Sequence, residues 1–155
     1  MECDLCQRWE LTRDFAYEFQ LRPGVQWQNL EPGNGRELVA SDLEYSYQRM
    51  QTPGWANITM FSQQGITGFK ALDGRKLRVN LDFLESDALL SLADDHSKIV
   101  AREVVMERYG NLKDSPVIGT GPWIWEDTIQ GVGNYPERKP ILLRGRLTVP
   151  GPTEH

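Results

Sequence analysis

Cys3 and Cys6 stand three apart in the opening stretch MECDLC, the spacing of half a zinc site or of a redox pair. A structural zinc ion takes four ligands, and the sequence holds no second cysteine pair; His96 is the only other internal soft ligand. A redox C-x-x-C opens a helix behind a strand, whereas this one precedes a strand at the chain start. The pair is therefore a local disulfide or two structural thiols, and neither a metal nor a cofactor is expected. Asp94-Asp95-His96 sets two carboxylates beside an imidazole, the materials of acid–base chemistry. A hydrolase built on Asp95 and His96 would also need a serine or cysteine nucleophile in a recognisable setting, and none is there, so no catalytic residue is assigned and a solvated helix end is the plainer reading.

The stretch VIGTGPWIW, 117–125, invites a phosphate-loop reading. Neither G-x-G-x-x-G nor G-x-x-x-x-G-K-[ST] is present, Pro122 removes a backbone donor, and Trp123-Ile124-Trp125 has strand character where a phosphate loop needs a helix start. The glycines serve a tight turn feeding a strand. Asn57-Ile58-Thr59 matches an N-glycosylation acceptor, a pattern frequent by chance. Five tryptophans in 155 residues carry more weight, because such side chains line binding clefts as well as cores.

These groups must be positioned by one domain. A chain of 155 residues with 39% hydrophobic and 10% aromatic side chains can build a single core. A net charge of −5 and a pI near 5.1 exclude a phosphate-backbone binder with a basic face, so nucleic acid is not a partner. No run of about 18 apolar residues spans a membrane, and MECDLCQRWE lacks the apolar centre of a signal peptide. The terminal Thr153-Glu154-His155 carries no argument.

Alternation of Trp9 and Leu11, then Phe15, Tyr17, Phe19 and Leu21, around Thr12-Arg13-Asp14 predicts a hairpin. Ser41-Asp42-Leu43-Glu44 matches a capping box, with Leu43, Tyr47 and Met50 on one face, so a helix starts at Ser41 and stops before Pro53-Gly54. The segment from Gly54 to Gly68 shows no clear period and is read as irregular. Phe69 and Leu72 before Asp73-Gly74, then Leu77, Val79, Leu81 and Phe83, predict a second hairpin. Ser86 is the expected N-cap of a short helix, Arg102 to Tyr109 forms another with Gly110 after it, and Ile141-Leu142-Leu143 closes the regular structure.

The ordered runs WELTRDFAYEFQLRPGVQWQN, VASDLEYSYQRM, ALDGRKLRVNLDF and SKIVAREVVMERYGNLKDSPVIGTGPWIWED resemble the family 5 extracellular solute-binding proteins, the dipeptide, oligopeptide and nickel receptors of bacterial ABC importers. In that family a Trp-Glu strand leads to an extended "tFxLRxGVxW" hairpin, an "AxDVxYSxxR" helix and a GTGPY/F turn. The resemblance runs from Leu5 to Trp125. It departs where Asn29-Leu30-Glu31-Pro32 replaces a "DGxP" turn, where Trp123 replaces Tyr or Phe, and where Cys3 and Cys6 replace small residues.

The resemblance implies an α+β fold: antiparallel hairpins packed with two or three helices, a subdomain of a type II periplasmic-binding-protein-like receptor. Residues 1–118 would be the α/β subdomain of one lobe. Residues 119–155 would be a crossover and returning strands, with Gly119, Thr120, Gly121 and Pro122 as the joint. The parent would capture a peptide or other small solute in the periplasm or outside the cell, anchored there as a lipoprotein in one form, and pass it to an ABC permease without covalent chemistry. The remaining lobe would be a partner, and without it closure around a solute is lost. The stretch after the first helix would border the cleft, which makes Trp55, Asn57 and Phe61 candidate ligand residues; the opposing reading packs Trp55 and Phe61 inward. The alternative function is a standalone α+β interaction domain.

Overall fold

The computed structural model describes residues 4–107, 110, 112, 115–129 and 133–137. Its elements in chain order are β1 (Cys6–Leu11), β2 (Ala16–Leu21), α1 (Ala40–Met50), α2 (Ala56–Gln63), β3 (Ile66–Asp73), β4 (Lys76–Leu81), α3 (Ala88–Leu92), α4 (Arg102–Glu107), β5 (Ile124–Ile129) and β6 (Gly133–Glu137). The two expected hairpins, β1–β2 and β3–β4, join edge to edge through β2 and β4 into one antiparallel sheet of order β1-β2-β4-β3, and β5–β6 form a separate hairpin. The expected strand near Leu142, the end of the helix at Tyr109, and Cys3 lie outside the described residues. Cys6 is disulfide-bonded.

Register explains why the sheet has one apolar face. Trp9 pairs with Phe19, Phe19 with Leu77 and Leu77 with Ala71; in the next row Leu11, Tyr17, Val79 and Phe69 stand side by side. Because side chains alternate across the pleat, these rows share a face and Glu18, Lys76 and Arg78 share the other. On that polar face Lys76 Nζ lies 2.6 Å from Glu18, and Arg78 pairs with both Glu18 and Asp14. The apolar face is covered over β3 and β4 by α1. Tyr47 stacks on Phe69 with ring centres 4.6 Å apart, and Phe61 of α2 meets Phe69 edge-on at 5.4 Å, forming a buried aromatic cluster.

Several local expectations shift. α1 begins one residue before Ser41, with extended Val39 at the cap position; the Asp42 carboxylate, not a serine hydroxyl, accepts the Val39 N–H at 3.1 Å. Glu44, the other half of the expected box, reaches across to accept the Ala71 N–H at 3.2 Å, tying α1 to β3. Residues 54–68 are not irregular but hold α2 and the start of β3. The period of α2 was hidden because its buried face begins with a polar residue, Asn57, one turn ahead of Phe61. Phe15 does not continue the strand pattern: at φ 56° it belongs to the turn and is half exposed, as is Phe83 beyond β4. Ser86 is not a cap; Asp87 precedes α3 without a side-chain capping bond, and Ser86 Oγ donates to Glu85 instead. Gly110 has the positive φ expected after α4, and its N–H closes onto the Val105 carbonyl at 2.9 Å. Among the described residues, no helix is long and apolar enough to cross a membrane.

Arg36 ties the start of α1 to α4. It forks onto both oxygens of buried Asp42, at 2.7 Å each, and onto Glu103 at 2.5 and 2.8 Å. Trp27 Nε1 donates to the same Asp42 at 3.3 Å. The Arg36 guanidinium holds the Glu103 carboxyl below the usual range for a glutamate.

Candidate ligand groove

Among the described residues no helix covers the apolar face over β1 and β2 as α1 covers β3 and β4, and a groove of about 430 Å³ opens there. Its floor is core: Leu21, Trp27, Leu43 and Leu77 are each at most 6% exposed. Trp9 and Phe19 of the sheet also line it, as do Leu89 and Leu92 of α3 and Ile99 beyond it. Trp9 stays 38% exposed, although its ring packs edge-on against Tyr17 at 5.5 Å.

One rim is the turn that follows α3. Asp94, Ser97 and Lys98 line the groove, and the turn closes on itself: the Ser97 N–H donates to the Asp94 carbonyl and the His96 N–H to Asp94 Oδ1, at 2.9 and 2.8 Å. His96 Nδ1 lies 2.8 Å from a carboxylate oxygen of both Asp94 and Asp95. The Asp94 hydrogen bond, then the charges of Asp95 and Asp94, raise the His96 pKa above its ordinary value. The donor atoms of the three residues fall within 4.8 Å of one another. With the imidazole nitrogen already turned onto the two carboxylates, the arrangement is an ion pair on a turn. It is not a nucleophile's base either, because the neighbouring Ser97 hydroxyl is buried and donates to the Ser91 carbonyl at 2.7 Å.

The expected ligand residues fall in three different settings. Asn57 is buried, and its Nδ2 donates to the His96 carbonyl at 3.2 Å, so it braces the rim turn from behind. Phe61 is wholly buried in the aromatic cluster and presents no surface to a ligand. Trp55 precedes α2, 37% exposed, with the Arg49 guanidinium 4.3 Å over its ring.

Gly119 and Thr120 of the expected joint line the end of the groove, while Gly121 and Pro122 are exposed beyond it. They are held by a residue the motif reading passed over. Gln28 is 6% exposed, and its Nε2 donates to the carbonyls of Gly121 and Trp123 at 3.1 and 2.5 Å. Its Oε1 accepts the Gly119 N–H at 3.1 Å, and its backbone N–H donates to the Gly119 carbonyl at 2.9 Å. One buried amide thus satisfies the backbone of a loop more than 90 residues away, and Ile118 beside it is buried in the core. The only sequence signal was an amide between two apolar anchors, Trp27 and Leu30.

The model of the bacterial extracellular solute-binding proteins, family 5 Middle, matches residues 1–138. None of the curated proteins compared with the chain matches it. Among solved structures, MoaA of A. tumefacien R10 in complex with mannopinic acid is 28% identical with a TM-score of 0.67, over 83% of this chain and 25% of that one. The dipeptide binding protein of Pseudoalteromonas sp. SM9913 in complex with Met-Leu is 26% identical with a TM-score of 0.66, over 81% and 28%. The periplasmic binding protein DppA of Helicobacter pylori, in complex with the peptide STSA, shares the fold at a TM-score of 0.69 and 24% identity, over 83% and 28%. The chain spans 25–28% of the length of these proteins.

Proposed function

Because the chain belongs to family 5 of the bacterial extracellular solute-binding proteins, we propose that it is one part of the receptor of an ABC importer, capturing a peptide or similar small solute outside the cytoplasmic membrane for delivery to a permease. The observation that carries this reading is the family match over 1–138, joined to a fold shared with binding proteins in complex with mannopinic acid and with Met-Leu. The family and these neighbours bind their ligands without transforming them, which fits a rim turn whose imidazole is turned onto two carboxylates while the Ser97 hydroxyl beside it donates to the Ser91 carbonyl. In this reading residues 1–118 form the α/β subdomain of one lobe, and Gly119 to Pro122 are the joint through which the chain passes on to the remaining lobe. Trp55 is the candidate ligand residue with exposed surface, and Asn57 acts indirectly, by holding the turn that bears His96.

Affinity in a two-lobed receptor comes from desolvating the solute between two walls. Calorimetric titration with a mixed library of tetra- and pentapeptides tests the proposal on two samples, this chain and the complete reading frame that contains it. The complete product is expected to bind at least about tenfold more tightly than the chain alone, a difference of about 1.4 kcal/mol. A complete product that binds neither a member of the library nor mannopinic acid would overturn the receptor reading.

A further inference from the structure

Asn34-Gly35 is the one Asn-Gly pair in the sequence, and it lies in the loop that carries the chain from Gln28 to Arg36. We propose that it is a site of covalent self-modification, at which Asn34 loses its side-chain nitrogen as ammonia and becomes a mixture of aspartate and isoaspartate. This stands apart from the receptor reading, because every contact it uses belongs to the loop and its two anchors.

The chemistry needs no group from outside. With hydroxide as the base, the deprotonated backbone nitrogen of Gly35 attacks Cγ of Asn34; a bond forms between them, the Cγ–Nδ2 bond breaks, and Nδ2 leaves as ammonia once a proton has been returned to it. The product is a cyclic imide. Water then opens it at Cγ, giving aspartate, or at the main-chain carbonyl carbon of residue 34, giving isoaspartate, in which the chain runs on to Gly35 through the former side chain. A side chain on the following residue would crowd the attacking nitrogen, and glycine has none.

A second asparagine in the same loop shows what the structure adds. Asn29 and Asn34 are both exposed. Leu30, which follows Asn29, carries a side chain, and its N–H donates to the Gln28 carbonyl at 2.8 Å. The Gly35 N–H donates to that same carbonyl at 3.3 Å, longer than the usual N–H···O range, so its proton is the more weakly held of the two. Only at Asn34 do an exposed amide, an unhindered attacking nitrogen and a loosely held proton coincide.

The two products differ in what they do to the fold. Asn34 and Gly35 both have positive φ, 50° and 67°, and the turn is tied by the Asn34 N–H donating to the Leu30 carbonyl at 2.8 Å and the Arg36 N–H to the Gly33 carbonyl at 3.3 Å. On one side of it Gln28 braces the backbone from Gly119 to Trp123; on the other Arg36 joins Asp42 to Glu103. Aspartate adds a charge at an exposed position. Isoaspartate inserts an extra methylene into the main chain between the two anchors, so the turn no longer matches their spacing and the brace on Gly119 loosens.

The test incubates the 155-residue chain, and the complete product that contains it, at neutral and at mildly alkaline pH, followed by peptide mass mapping and by enzymatic isoaspartyl methylation. Asn34 is expected to convert at least about tenfold faster than Asn29, a barrier difference of about 1.4 kcal/mol, and faster still at alkaline pH, with isoaspartate among the products. Asn34→Gln, whose longer side chain closes the ring poorly, is expected to stop conversion at this position. The isoaspartyl form, separated by ion exchange, is expected to exchange the Gly119 amide several-fold faster than the unconverted chain, whereas Asn34→Asp, which adds the charge without the methylene, exchanges it like the parent. The proposal fails if the advantage of Asn34 over Asn29 falls short of that, if conversion does not rise with pH, if no isoaspartate forms, or if the isoaspartyl form and Asn34→Asp exchange Gly119 alike.

Discussion

The two halves of the four-stranded sheet present equally apolar side chains to the same side, yet among the described residues only one half is closed. Over β3 and β4, Phe69, Val79 and Ile66 disappear beneath α1 and α2, and Phe61 and Tyr47 complete an aromatic cluster with little access to water. Over β1 and β2, Trp9 and Phe19 stand in the same rows of the pleat and face an open groove. The difference lies in what the chain lays across each half. An eleven-residue amphipathic helix covers one, and the short α3 with its closed turn only borders the other. Apolar pattern decides which face a strand turns inward; the reach of the neighbouring helices decides whether that face is sealed.

The sharpest way to break the comparison is to remove an aromatic from each half. Phe69→Ala is expected to cost about 3–5 kcal/mol, the usual range for deleting a buried phenylalanine ring, measured by urea unfolding. If it costs less than about 1.5 kcal/mol, the aromatic cluster is not the packed centre described here. Gln28→Ala comes next, at about 2 kcal/mol, because it empties a buried site and takes away the side-chain partner of the Gly119 N–H and the Gly121 carbonyl. Amide exchange at Gly119 should speed up in that variant while exchange in β3 and β4 does not. Trp9→Ala, in the open half, is expected to cost about 1 kcal/mol, chiefly the edge-on contact with Tyr17. A loss as large as that of Phe69→Ala would mean the groove is closed in solution.

The smallest effect concerns the rim turn. His96 is expected to titrate above the usual midpoint of about 6.5, and Asp94→Asn should bring it back toward that value, as read by the imidazole proton shifts. A raised folded-state pKa means that the ion pair contributes its stability fully below the ordinary histidine pKa and loses it as pH rises through the folded value. The pair is open to solvent, His96 more so than Asp94, so the melting temperature should move little across that window. A titration midpoint unchanged by Asp94→Asn would remove this carboxylate as the main cause.

Both hairpins and α1 were readable because their buried positions are apolar and recur at two or near 3.6 residues. α2 escaped because Asn57 occupies its buried face, and an amide there looks like a break in the pattern. The groove was unreadable for a different reason. Trp9 and Phe19 alternate as cleanly as Leu77 and Val79, and alternation carries no information about whether anything lies above. The braces were hidden by distance along the chain: Asn57 acts 39 residues away and Gln28 more than 90. The GTGP turn was found by its glycines, but what holds it is a glutamine with no motif around it.

The strand order leaves β1 at a border of the sheet, with backbone groups on its outer side that no neighbouring strand of that sheet receives. Such a border invites another chain to add itself as a fifth strand, and exposed Trp9 and Leu11 would reward it. Two features of β1 oppose that addition. Its register slips between Cys6 and Arg8, which spoils the straight template an incoming strand needs, and Arg8 and Glu10 put charges of both signs along the opposite face. A strand that lines an open groove thus also carries its own guard against polymerisation, so the groove can remain open without making the molecule sticky at its border.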